Sequence, residues 1–169
     1  MINPDDGSVS CESGIFISRH HTPDQLGKLD AHGELSMSKN PYLSEISYIT
    51  GATSIIGETE FELTIEFHNE RIKRIFFKMR HGPASESSWD EVSEMKLKEE
   101  LKLVEVAATA ELRRPPDRKR HFFRSWDFSW GEIQAAAESK SFQCGLFLMY
   151  RSDRHNPASD LALQHPVIR

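Results

Sequence analysis

The chain has 169 residues, a formal net charge of -5, and 28% charged against 38% hydrophobic residues. A chain of this length buries about 70% of the surface it exposes when unfolded, so it needs neither a metal nor a disulfide to hold a core. The acidic balance argues against a general nucleic-acid binder, which carries a basic excess, and no apolar run approaches the ~20 residues that span a bilayer.

Residues 1–13 are polar and acidic. They lack the basic and apolar regions of a secretory leader, and they read as a flexible lead-in to a cytosolic protein. Gly14 to Arg19 reads as a short strand. Thr22-Pro23-Asp24 has the form of an N-cap with proline at the first helical position, which predicts a short helix ending near Leu29. Gly33 to Ser38 and Leu43 to Thr50 are further strand candidates.

From Glu60 the residues alternate. Phe61, Leu63, Ile65 and Phe67 fall on one side, and Glu60, Glu62, Thr64, Glu66 and His68 on the other. That is the period of a half-buried strand. Arg74 to Arg80 alternates in the same way, so the two segments form a hairpin around residues 69–71. Only one register keeps apolar residues opposite apolar ones. An odd-length turn centred on Glu70 pairs Ile65 with Ile75, Leu63 with Phe77 and Phe61 with Met79. It also sets Glu66, Glu62 and Glu60 beside Arg74, Lys78 and Arg80. A one-residue slip would turn every side chain over. Asn69 is the expected positive-φ residue of a bulged turn.

Ser88-x-x-Glu91 has the form of a capping box. Leu97, Leu101, Val104, Ala108 and Leu112 then recur at helical spacing, and Pro115-Pro116 ends the run. These signals predict one long helix of about 25 residues. Arg113 to Arg124 holds six basic residues against one acid, Asp117, and reads as a charged connecting loop. Phe122 to Tyr150 reads as a strand pair with a turn near Ser139-Lys140. In its second strand Leu146 and Leu148 oppose Phe147 and Met149. The tail after Arg151 reads as polar surface chain. The expected fold class is α+β: a single antiparallel β-sheet of five to six strands with one long helix packed on one face. It forms one domain over residues 14–151, with a polar tail at 152–169.

Candidate chemistry is sparse. The eight histidines show no His-Glu-x-x-His or His-x-His spacing, so no metal site is expected. No nucleophile motif, phosphate loop or dinucleotide fingerprint is present, and neither enzymatic activity nor a cofactor is expected. Cys144 reads as a small buried hydrophobe and Cys11 as a free thiol. Phe122 to Trp130 contains five aromatics in nine residues. Trp130, beside a glycine bulge at Gly131, reads as packed on the sheet, and Trp126, among polar neighbours, as a partly exposed anchor.

The linear layout carries a resemblance over residues 14–150. Its parts are the Thr22-Pro23-Asp24-Gln25-Leu26 helix start, the alternating hairpin of residues 59–80 and the acidic opening Ser87-Ser88-Trp89-Asp90-Glu91. Then come Phe128-Ser129-Trp130-Gly131-Glu132-Ile133 and an apolar strand closing on Tyr150. This order resembles small bacterial immunity proteins of polymorphic and type VI secretion toxin systems. The resemblance implies a non-enzymatic protein that binds a cognate toxin domain and neutralises it. Exposed acids beside an aromatic anchor are then the expected partner-binding residues: Trp126, Asp127 and Glu132, with Asp90 and Glu94 as a second patch. The expected partner is the toxin protein, with no membrane, nucleic acid or small-molecule substrate. An adaptor or chaperone for a secreted effector, or a small nucleic-acid-binding module using Arg113 to Arg124 with Trp126, are the other readings.

Overall fold

The computed structural model describes residues 1–30, 33–88, 90–138, 140–141 and 143–151. Trp89, Ser139 and the tail at 152–169 lie outside the described residues. The elements are β1 (Val9–Ser10), β2 (Phe16–Ile17), α1 (Pro23–Leu29), β3 (Ser36–Lys39), β4 (Ile46–Ile56), β5 (Thr59–His68), β6 (Arg71–Met79), α2 (Glu94–Leu112), β7 (Arg118–Arg120), β8 (Phe123–Asp127), β9 (Gly131–Glu138) and β10 (Gln143–Tyr150). β3 to β10 form one eight-stranded antiparallel sheet in the order β3-β4-β5-β6-β10-β9-β8-β7, and β1 and β2 form a separate two-stranded sheet.

This overturns the expectation of five to six strands under one long helix. Two causes account for the difference. The segment Phe122 to Tyr150 holds three strands rather than two, because Phe128 to Trp130 turns the chain: the Phe128 N–H donates to the Gly131 carbonyl at 2.9 Å. The basic run Arg118–Arg120, expected as loop, is an edge strand paired with β8. Lysine and arginine on an edge discourage further strand addition, so the composition that looked like loop suits this position.

The helix is shorter than expected. Ser88 and Glu91 close only a turn, with the Ser88 N–H donating to Glu91 Oε2 at 3.3 Å and the Glu91 N–H to the Ser88 carbonyl at 2.9 Å. Extended Ser93 is the true cap, and its Oγ accepts from the Lys96 N–H. Two closely spaced serines offered two starts, and the loop before α2 decides between them. The C-terminus falls where arginine and proline placed it, with Arg113 left-handed at φ 53. At α1 the cap is as expected: the Thr22 side chain accepts from the Gln25 N–H, and the Gln25 side chain accepts from the Thr22 N–H. No helix among the described residues is long and apolar enough to cross a membrane.

The β5–β6 register is the expected one: Phe61 lies opposite Met79, Leu63 opposite Phe77, Ile65 opposite Ile75, and Glu66 opposite Arg74. The extra residue, however, is not in the turn. Asn69 (φ 49) and Glu70 (φ 63) form a two-residue turn, and Phe67 pairs with Ile72 before the register shifts by one. Lys73 is therefore the bulged residue. The bulge turns both Ile72 and Ile75 inward while keeping Glu66 beside Arg74.

α2 packs across β4, β9 and β10, and its buried stripe meets Phe61, Leu63, Ile65, Phe77, Ile133, Leu146 and Leu148 in one core. The N-terminal segment closes the same face. Residues 1–13, expected as a flexible lead-in, are packed: Ile2 and Val9 are buried, the Trp130 indole N–H donates to the Pro4 carbonyl at 2.8 Å, and the Tyr150 hydroxyl donates to the Gly7 carbonyl at 2.8 Å. A polar composition disguised this, because only Ile2, Val9 and Cys11 of these residues enter the hydrophobic core. Gly131, expected at a bulge, continues the pairing of β9 with β10 in register. It is small because a Cβ there would collide with the Met149 carbonyl.

Candidate functional site

Strand geometry divides the sheet into two unlike faces. Side chains alternate, so the partners of core residues along each strand point away from the helix. Opposite the core lie Glu60, Glu62, Thr64 and Glu66 of β5, Arg74, Phe76 and Lys78 of β6, Phe147 and Met149 of β10, Gln134 and Glu132 of β9, and Asp127 of β8, all matched across the pairing registers. Both helices and the small sheet lie on the other side. Glu62, Arg74, Lys78, Asp127 and Glu138 are exposed. This open face is the candidate site.

At its centre Phe76 and Phe147 stack, with ring centroids 4.7 Å apart and planes 25° from parallel. They sit on neighbouring strands, Phe147 directly opposite Phe76. The Arg74 guanidinium lies 5.6 Å from the Phe147 centroid, within reach of a cation–π attraction. Both rings are half-buried by their neighbours.

Charged groups flank the rings in pairs. Arg74 donates to Glu66 at 2.5 Å and Arg80 to Glu60 at 2.5 Å. The Arg80 guanidinium titrates above its ordinary range, chiefly because it donates to Glu60. Further along, Arg118 on β7 reaches two acids at once, Asp127 at 3.0 Å and Glu132 at 2.7 Å. Two carboxylates opposite each other on paired strands would repel, and the arginine resolves this.

The structure distributes the expected site residues unevenly. Asp127 and Glu132 are cross-strand partners on the open face. Trp126 is not an exposed anchor: it is fully buried on the helix side, opposite Ile133, and its indole N–H donates to the Arg114 carbonyl at 3.2 Å. Neighbouring positions on a strand point to opposite faces, so Trp126 and Asp127 cannot share a surface. Asp90 is exposed in the loop before α2. Glu94 opens α2, is paired with Lys98 at 2.7 Å and lies 3.9 Å from His121. Its carboxyl titrates below the ordinary range, mainly through that lysine. His121 adjoins the Phe123 end of β8, about 14 Å along the strand from Asp127. The two acidic patches are thus separate.

One polar residue escaped the sequence reading. Glu100 is buried. Its carboxylate accepts from the N–H groups of Ala84 and Ser85, at 2.8 and 2.7 Å, and from the Ser85 hydroxyl at 2.6 Å. It ties the loop before α2 to the helix and lines a pocket of about 180 Å³ with Phe76, Lys78, Gln143 and Cys144. The signal was available: position 100 lies three after Leu97 and four before Val104, on the apolar stripe. With its oxygens committed to the loop, Glu100 reads as a structural acid. Both cysteines are buried and free. Burial raises both thiols, Cys11 to about 11, so neither is an activated nucleophile. Among the described residues no group of three or more His, Cys, Asp or Glu is placed to hold a metal ion.

Compared with family models, curated proteins and solved structures, the chain matches none.

Proposed function

We propose that this chain is a non-enzymatic, cytoplasmic inhibitor of the immunity-protein kind, which binds a toxin-type protein partner through the open face of its large sheet. The observation that carries this reading is the Phe76–Phe147 stack at the centre of that face. Central aromatics inside a charged rim are the arrangement in which binding energy concentrates at protein interfaces.

The flanking acids support a basic partner. Glu60 and Glu66 are held by Arg80 and Arg74, and Asp127 and Glu132 by Arg118, with all three arginines exposed. Exposed pairs of this kind are worth only ~0–1 kcal/mol each. An incoming arginine or lysine therefore exchanges with them at little cost. The same carboxylates can occupy a cleft built for phosphate, and opposite charge speeds encounter.

The test is co-expression with the toxin-type product of a neighbouring gene. Rescue of growth, lost in the Phe76→Glu/Phe147→Glu double variant at unchanged fold, is the expected result. Rescue that survives the double variant would overturn the face assignment. Binding without rescue would favour an adaptor.

A further inference from the structure

On the open face Arg74, Arg80 and Arg118 are each paired with acids, whereas Arg71, Lys73 and Arg151 at one end of the sheet are not, among the described residues. A cleft of about 600 Å³ opens where the link between β2 and α1 meets the β5–β6 turn and the end of β10. The link contributes Arg19, His20 and His21. The turn contributes His68, Arg71 and Lys73, and β10 is followed by Arg151. Among the described residues four cations line the cleft against one carboxylate, that of Glu70. The whole chain carries a net charge of -5, so this is a local reversal of sign.

The hairpin geometry explains why Arg71 and Lys73 have no acid opposite them on the neighbouring strand. Arg71 pairs across the turn with His68. Lys73 is the bulged residue, displaced from the ladder in which Arg74 keeps Glu66. Arg71, Lys73 and Arg151 form no ion pair among the described residues. Two segments remote in sequence, the hairpin and the end of β10, thus bring unpaired positive charge into one concave site. The volume is that of a small-molecule pocket, and guanidinium forks match phosphate oxygens in pairs.

We propose that this cleft binds a small phosphate-bearing anion, of pyrophosphate or nucleoside diphosphate size. One phosphate would engage one wall, whereas two linked phosphates can bridge the hairpin to Arg151. The site is distinct from the open face and does not depend on the inhibitor reading.

The experiment is titration calorimetry of the full chain with pyrophosphate and, separately, ADP at low salt. Saturable binding that weakens as salt rises is expected. Arg71→Glu/Lys73→Glu should weaken it about tenfold or more, and Arg151→Glu, on a different segment, should also weaken it. Lys102→Glu on the outer side of α2 is the matched charge control and should change affinity less than about twofold. Thermal melts establish that each variant folds. No saturable binding of either probe at low salt overturns the proposal, as does a hairpin double variant indistinguishable from the Lys102→Glu control. A single-stranded oligonucleotide that binds where pyrophosphate and ADP do not overturns it too, since the groove would then be tracking a polymer backbone.

Discussion

The two faces of the large sheet are made by the same strands, yet they treat charge in opposite ways. On the covered side, Glu100 is buried and takes three hydrogen bonds. Arg124, also buried, is held by Glu105 at 2.6 Å and by the carbonyls of Arg120 and Phe123. On the open side, acids and bases meet as exposed pairs around an aromatic stack. Burial makes a polar partner obligatory, because an unpaired group cannot turn to water. Exposure makes the same pair exchangeable. The covered face is therefore where substitutions should cost stability, and the open face where they should cost binding.

That contrast can be broken most severely at the covered side. Trp126→Ala should lose about 3–5 kcal/mol of stability, through lost packing and the orphaned Arg114 carbonyl. Glu100→Ala should cost a similar amount, about 3–5 kcal/mol, because it strands the Ala84 and Ser85 donors. Denaturant unfolding checks both; a loss below 1 kcal/mol at either (roughly the scale of a surface change) would show that the loop before α2 or the Trp126 site repacks freely.

Arg124→Met comes next, at about 2–4 kcal/mol near neutral pH. Its partner supplies a pH signature. Burial pushes the Glu105 carboxyl up, but hydrogen bonds from Lys119 and Arg124 outweigh it and hold the group below its ordinary value of 4.5. A depressed acid contributes its stability above the unfolded value and loses it as pH falls through the folded one. Glu105→Gln should therefore be destabilised at neutral pH, with the gap to the parent chain closing below pH about 4. A gap that stays constant down to acid pH would show that charge is not what Glu105 contributes.

Effects on the open side should be smaller. A double-mutant cycle on Phe76 and Phe147 should return a coupling of about 0.5–1.5 kcal/mol. Glu66→Gln should cost less than about 1 kcal/mol and respond to salt. The smallest readout is at Cys11, whose raised thiol should react slowly with an aromatic disulfide at pH 8 until the chain is unfolded. Immediate labelling of folded protein would mean that the N-terminal segment opens readily.

Legibility followed the reach of each interaction. The register of β5 and β6 was readable because its apolar and charged partners lie within twenty residues of one another and only one pairing satisfies both. The bulge at Lys73 was not, since the same net offset can be taken up in the turn or beside it. Glu100 was half legible, as its place on the stripe was visible but its donors are sixteen and fifteen residues away in a loop. The fates of Trp126 and Trp130 could not be separated by their neighbours in sequence. Trp126 is buried because β8 has β9 beside it and presents alternate residues to α2.

By itself the amino-acid sequence determined the α1 cap, the end of α2 and the register of the central hairpin, each set by partners near in the chain. Tertiary structure decided the number of strands, the burial of the N-terminal residues, the separation of the two acidic patches and the gathering of Arg19, Arg71, Lys73 and Arg151 around one cleft. Those outcomes depend on which distant segments meet, and a local pattern of apolar and polar residues is the same whichever neighbour arrives to cover it.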